Sequence, residues 1–165
     1  MSNLEFDSTY KVWYHSVTEK SWTKDSYINL SKDFKDENIK NSFELGAIYN
    51  KLNNNFNAGM FFLMKKDILP LWEDPHNIKG GFWSLKIPKK KAGEIWLKLS
   101  AALVGNTLFN KIETMKYITG ISINPKITNC VVKIWVSRKT DMSCFKKLDF
   151  LQLDNIRYND HKKHF

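Results

Sequence analysis

Two apolar runs with strand character, Met60–Met64 and Gly81–Ile87, are separated by a segment that suits neither strand nor helix. Pro70, Pro75 and the Gly80-Gly81 pair punctuate it, and proline both fixes φ and removes a backbone donor. The chain must leave one strand, cross a structured loop and enter another. Inside that loop lies Leu71-Trp72-Glu73-Asp74-Pro75-His76-Asn77, followed by Gly80-Gly81-Phe82-Trp83. Packing alone rarely demands a Trp beside a Glu in a loop. An indole offers a flat π face for stacking, while the neighbouring carboxylate accepts two hydrogen bonds from N–H groups on the edge of a guanine. A base with a positive charge adds a cation–π attraction.

The rest of the chain alternates between the two periods. Tyr10–His15 is aromatic and β-branched, as a strand should be, and Tyr27–Leu30 reads as a second, shorter strand. The polar connection Ser16–Ser26 between them carries Trp22, which is out of place unless something stacks on it. Asp36–Leu52 reads as a helix, with Ile39, Phe43 and Ala47 recurring every four residues and Asp33 or Asp36 as its cap. Asn53–Asn57 breaks that pattern. Lys91–Val104 is a second helix, built on Ile95, Leu99 and Ala102, with Gly105 at its C-cap. Ile118–Asn124 and Val131–Ser137 read as strands joined by Pro125–Cys130, Asp141–Leu151 as a third, amphipathic helix, and Ile156–Asn159 as a closing strand. This order predicts an α+β fold, an antiparallel sheet with helices on one face. The expected organisation is a short flexible N-terminus, residues 1–9, followed by one domain over residues 10–165.

Composition narrows the function classes. At 165 residues and 42% apolar content the chain can bury a core without staples, and no apolar run nears the ~20 residues of a membrane span. Met1–Thr9 carries two acids and no apolar stretch, unlike a secretory signal, so a cytoplasmic, membrane-free protein is expected. Cys130 and Cys144 lack the spacing of a zinc site or a disulfide framework and are read as reduced thiols. The formal charge of +9 favours an anionic partner, although most of it is lysine and Arg occurs only at 138 and 157. No P-loop, Ser-His-Asp order or Cys-His arrangement is present, and Glu73-Asp74 is the one acidic pair on a candidate ligand loop. No enzyme activity, metal or cofactor is expected. Trp13, Trp83 and Trp96, in strands or a helix at inward positions, are expected in the core.

Tyr10-Lys-Val-Trp13-Tyr, Lys20-Ser-Trp22, Ile48-Tyr49-Asn50, Pro70-Leu-Trp72-Glu73-Asp74, Gly80-Gly81-Phe-Trp83, Trp96-Leu97 and Ile134-Trp135 resemble, in order and spacing, the eukaryotic translation initiation factor 4E family. The resemblance implies a curved antiparallel sheet with three α-helices packed on its convex face. Its concave face would bind the 7-methylguanosine cap of mRNA, or cap analogues such as 7-methyl-GTP, to recruit the message for translation initiation. By that likeness Trp22 and Trp72 would sandwich the methylated base, Glu73 would accept from its N1 and N2 hydrogens, and Trp135 would lie against the N7 methyl.

The phosphate clamp departs from the family pattern. The positions where the family carries an Arg and two Lys are Lys126, Thr128 and Val131 here, and Phe82 stands where the family often has Arg. Lys133, two residues before Trp135 and on the same strand face, is expected to replace part of the lost charge beside Lys126. The surface for the scaffold of the 4G type is also altered. Its central Trp falls on Gly46; Leu97 is retained, but Lys98 replaces an acid and Ala101 a larger apolar residue. Phe43, one turn away, would restore an aromatic on a register slip. The partner is therefore such a scaffold or a divergent equivalent, the protein itself being a monomer. The alternative is a cap-binding regulator that does not engage the scaffold. The basic tail His161-Lys162-Lys163-His164-Phe165 stands where the family carries a mobile basic loop, and is a candidate for RNA contact.

Overall fold

The computed structural model describes residues 2–52 and 55–161. It contains eight strands, β1 (Glu5–Ser16), β2 (Ile28–Asn29), β3 (Ile39–Asn41), β4 (Gly59–Lys65), β5 (Gly81–Pro88), β6 (Ile118–Pro125), β7 (Asn129–Val136) and β8 (Arg157–Asp160). Three α-helices accompany them, α1 (Ser42–Leu52), α2 (Ala92–Val104) and the single turn α3 (Ile112–Met115). Every strand pairing is antiparallel, in the order β2-β1-β4-β6-β7-β5-β8, with β3 paired to β1. The sheet is curved, and the fold class is α+β as the sequence predicts. No helix among the described residues is long and apolar enough to cross a membrane.

Alternation along the strands sorts the core into two faces. On β5, Trp83, Leu85 and Ile87 join Trp96, Leu99 and Leu103 of α2 in the main core, whereas Phe82, Ser84 and Lys86 project from the opposite face. That opposite face holds a smaller cluster of Trp13, Met60, Phe62, Met64, Ile68 and Trp135. β4 is apolar on both faces for this reason, since it separates the two clusters. Trp83 and Trp96 are in the main core and Trp13 in the smaller one. Cys130 and Cys144 are free thiols.

Three predicted elements change. β1 starts at Glu5 rather than Tyr10, because Glu5 is opposite Asn41 of β3 and Leu4 N–H donates to Ser42 Oγ at 3.0 Å. The predicted helix over Asp36–Leu52 begins only at Ser42. Asp36 and Glu37 both take positive φ, 58° and 55°, which no right-handed helix allows, and Ile39 is then drawn into a pair with Tyr10. The cap is Asn41, whose Oδ1 accepts from Glu44 N–H at 3.0 Å, and not Asp33 or Asp36. At the end of α2 Gly105 is the C-cap, as predicted, its N–H donating to the Ala101 carbonyl at 2.9 Å, and the residue that turns left-handed beyond it is Asn106, with φ 56°.

The helix predicted over Asp141–Leu151 is absent. A short turn, Met142–Cys144, forms, capped by Asp141, before Phe145 pairs with Phe109 across an isolated bridge, and a second turn closes where Leu151 N–H donates to the Leu148 carbonyl. Asn110 N–H donates to the Cys144 carbonyl, and its side-chain amide to the Ser143 and Phe145 carbonyls. Those bonds satisfy the segment's carbonyls from outside, so it needs no helix of its own. The predicted break at Asn53–Asn57 lies partly outside the described residues.

Candidate functional site

The face opposite the helices carries a cavity of about 630 Å³. Trp22, Trp72, Glu73, Lys133 and Trp135, five of the residues singled out in the sequence, all line it. Lys126 does not line it. It is exposed on the β6–β7 turn beside a separate shallow cavity, because Pro125 ends β6 and turns the chain away. It reaches the rim indirectly, with Nζ 3.2 Å from the side-chain oxygen of Asn124, a lining residue, once the Asn124 amide is oriented to accept.

The Trp72-Glu73 loop is held from beneath. Asp74 is buried, and its carboxylate accepts from Leu69 N–H at 2.9 Å and His76 N–H at 2.8 Å. Asn77, also buried, donates to the Leu69 and Leu71 carbonyls and accepts from Thr119 Oγ1 at 2.7 Å. The two side chains satisfy the loop's inward-facing polar groups and tie it to β6, leaving Trp72 and Glu73 to project. The Gly pair serves the same region. A Cβ on Gly80 would collide with the Val136 carbonyl, and one on Gly81 with the Asn159 carbonyl, so only glycine lets β5 enter between β7 and β8.

Trp22 is 56% exposed and lies flat on His15, with ring centroids 4.1 Å apart and planes 6° apart. His15 is 1% exposed and its Nε2–H donates to the Ser21 carbonyl at 2.7 Å, which fixes the ring beneath the indole. From there an aromatic series runs along the cavity floor, His15 to Tyr27, Tyr27 to Phe62 and Phe62 to Trp135. Trp135 is 7% exposed, and its Nε1–H donates to Ser122 Oγ at 3.0 Å. Burial, followed by the charge of Glu73, pushes the Tyr27 hydroxyl well above its usual range.

Lys133 stands at the other end with Nζ 4.2 Å from the centre of the Phe82 ring. Burial, then repulsion from Lys126, holds its ammonium below the usual lysine range. An anion beside it would offset both effects.

Sequence reasoning missed Tyr27, Met60 and Phe62 as lining residues, and it named Phe82 at the phosphate clamp and His161 in the basic tail without placing either in the cavity. Met60 and Phe62 had a signal, since an unbroken apolar strand has two buried faces. For His161 the sequence showed a basic tail but no path into the cavity, because it gets there only through the β5–β8 pairing, continued by its N–H to the Gly80 carbonyl at 3.1 Å. It packs against both Trp135 and Phe82. The remainder of the basic tail, residues 162–165, lies outside the described residues. Among the described residues no group of three or more His, Cys, Asp or Glu is placed to hold a metal ion.

On the helix face, Gly46, Leu97 and Ala101 line one groove of about 480 Å³, together with Tyr49, Val104 and Leu4. Nothing lies within 4 Å of the position a Gly46 Cβ would occupy. Lys98 is not part of that lining; its Nζ turns back to Glu94 Oε1 at 2.8 Å, one helical turn away. Phe43 is exposed at the first turn of α1 and is not among the groove's lining residues either.

The fold and the cavity define a single-sheet α+β protein with an aromatic, one-sidedly charged cleft opposite its helices. Residues 5–165 match the eukaryotic initiation factor 4E family, and the chain belongs to it. A eukaryotic translation initiation factor 4E homolog of Acanthamoeba polyphaga mimivirus is 36% identical over 70 residues, 42% of this chain and 26% of that protein. Eukaryotic translation initiation factor 4E-3 of Caenorhabditis elegans is 28% identical over 117 residues, 62% of this chain and 45% of that one. These matches thus span less than half of either relative. Among solved structures, the complex of C. elegans eIF4E-3 with the 4E-binding protein Mextli and cap analog superposes with a TM-score of 0.78 at 19% identity, covering 99% of this chain and 95% of that one. The complex of Ascaris suum eIF4E-3 with m7G cap gives 0.76 at 19% identity, over 97% and 92%. At such identities the superpositions establish the fold.

Proposed function

We propose that this chain binds the 7-methylguanosine cap of mRNA and recruits the message for translation initiation, by recognition alone and without making or breaking a bond. One observation carries the reading: Trp22, Trp72, Glu73, Trp135 and Lys133, drawn from two loops and β7, converge on one cavity. Membership of the family, and the cap and cap analog named in the related complexes, support it.

The methylated guanine stacks between the Trp22 and Trp72 indoles. N7 methylation gives the base a positive charge, so each stack, worth about 1–3 kcal/mol for any base, gains a charge–quadrupole attraction that unmethylated guanine lacks. Glu73 accepts from N1–H and N2–H, which selects guanine over adenine. Trp135, fixed edgewise by Ser122, closes the floor against the methyl group. Lys133 takes the nearest phosphate and Lys126 contributes at longer range. The site is exposed to the cytoplasm in this reading, and no cofactor takes part.

The groove containing Gly46 favours a second reading of the protein's consequence, though not of its ligand. A 4E-binding motif that relied on an aromatic at that position would find open space, so the partner is either a divergent scaffold or none, and in the latter case the protein sequesters capped messages.

Titration of intrinsic Trp fluorescence with 7-methyl-GTP and with GTP tests the cap reading. Quenching with a preference of about 100-fold for the methylated nucleotide, near 2.8 kcal/mol, is expected. Equal affinity for the two would remove the charged-base sandwich.

A further inference from the structure

We propose that Lys86 and Arg157 form, beside Lys133, a second anion subsite that takes the phosphodiester backbone of the nucleotides following the cap. The inference rests on the cap reading for its direction, since the RNA must leave the cavity past Lys133.

The strand register brings these cations together. Ser84 of β5 is directly opposite Lys133 of β7 on one side and Arg157 of β8 on the other. Adjacent strands are about 4.8 Å apart, so Lys133 and Arg157 flank Ser84 across a span of roughly 10 Å. Lys86 follows Ser84 by two residues along β5, about 7 Å on, and so shares its face. That face is the one with the cavity, because the intervening residues Trp83, Leu85, Ile134 and Tyr158 all pack into the core on the helix side. Ser84 and Val131 lie between the cations as small, half-buried side chains, so the ground between them is open.

Three features separate this cluster from ordinary surface lysine. Arg157 is one of only two arginines in the chain, and its planar fork suits a phosphate better than an ammonium does. Its Nη1 donates to the carbonyls of Ile156 at 3.0 Å and Asp154 at 3.3 Å, which orients the guanidinium; Nε and Nη2 have no partner among the described residues. None of Lys86, Lys133 and Arg157 has a carboxylate at ion-pair distance among the described residues. β8 pairs with β5 only as far as Ser84, so Leu85–Pro88 forms an open edge over which an extended strand can leave. At that edge Lys86 also borders the groove shared with α2, whose lining includes Asp149 and Glu94, and Glu94 is engaged by Lys98.

The test compares the wild-type chain with the double variant Lys86→Gln/Arg157→Gln, using 7-methyl-GTP, a capped pentaribonucleotide and the same pentamer uncapped, across a salt series. The wild type should bind the capped pentamer more tightly than 7-methyl-GTP. The double variant should lose that advantage, roughly tenfold, with the slope of log K against log salt shallower by about 1.4 for two single-strand phosphate contacts and with 7-methyl-GTP affinity within about twofold of wild type. Unchanged affinity for the capped pentamer overturns the subsite. An equal loss for 7-methyl-GTP also overturns it, by assigning the two cations to the cap triphosphate. If the wild type fails to prefer 7-methyl-GTP over GTP, the cap reading fails by itself; loss of uncapped-pentamer binding in the double variant would then sustain the subsite, and its retention would overturn it.

Discussion

Trp22 is stacked on His15 with the planes of the two rings 6° from parallel, and the imidazole is the buried partner. One face of the most exposed indole in the site is therefore backed by a fixed ring, and in the proposed cap reading the other is the face that a base would take. Preorganisation of this kind removes part of the cost of ordering a loop side chain when the ligand arrives.

His15→Ala should weaken 7-methyl-GTP binding roughly fivefold, the about 1 kcal/mol typical of a well-placed aromatic pair, while His15→Phe keeps most of the affinity. Calorimetric titration of both variants reads this directly. Equal affinity in His15→Ala and wild type would mean that the stack does not prepare the site.

The adjacent acids Glu73 and Asp74 should behave oppositely. Glu73 is exposed beside the cavity, whereas Asp74 is buried and holds two backbone N–H groups of its loop. Glu73→Ala is expected to leave the melting temperature within about a degree and to erase the preference for guanine over adenine caps. Asp74→Ala leaves buried donors unsatisfied, a loss of about 2 kcal/mol. For a chain of this size that lowers the melting temperature by roughly 4–8 °C. Thermal denaturation together with cap titration separates the two; a large melting shift in Glu73→Ala would make that residue structural.

Lys133 provides the pH dependence. Its folded pKa is lowered, by burial first and Lys126 second, so between the folded and unfolded values the unfolded chain holds more protons and stability rises with pH. Phosphate affinity runs the other way, being present below the folded pKa and lost as pH rises through it. The ratio of 7-methyl-GTP to 7-methylguanosine affinity should therefore fall on the alkaline side, and taking the ratio cancels the titration of the base common to both. Lys133→Met should give a ratio lower by roughly tenfold and flat with pH, with a higher melting temperature at neutral pH. A parallel pH profile in the variant would assign the titration to another group.

Much of this site was legible because its key residues contradict their local context. Trp22 stands in a polar loop and Trp72 and Glu73 in a proline-punctuated one, where the core makes no demand on them, and all three line the cavity. Trp135 came from the family resemblance, and Lys133 followed from it by the alternation of β7. What could not be read depends on pairing between distant segments. His161 enters the cavity only through the register of β8 on β5, and Asn110 extinguishes a helix by satisfying carbonyls more than thirty residues away. The first half of α1 failed for a local reason of the same kind. Its apolar spacing is helical, but two successive positive φ angles at Asp36 and Glu37 break the turn, and the spacing carries no sign of them.

Gly46 decides between the initiator and the regulator. It lies inside α1 with nothing within 4 Å of a built Cβ, and it lines the groove with Leu97 and Ala101. Glycine within a helix costs about 0.5–1 kcal/mol relative to alanine, so Gly46→Ala should stabilise the protein by that amount and leave cap affinity unchanged. Gly46→Trp should also fold, since the indole enters open space, and should fill the position where the family carries its central aromatic. If the native groove no longer engages the usual helical motif, wild type will fail to bind a 4E-binding peptide and Gly46→Trp will gain measurable affinity, with Lys98→Glu adding to it by removing repulsion toward a basic motif. Fluorescence anisotropy of a labelled peptide measures both. Tight binding by the wild type would instead show that the groove accepts the motif without the aromatic, and would return the protein to the role of an ordinary initiator.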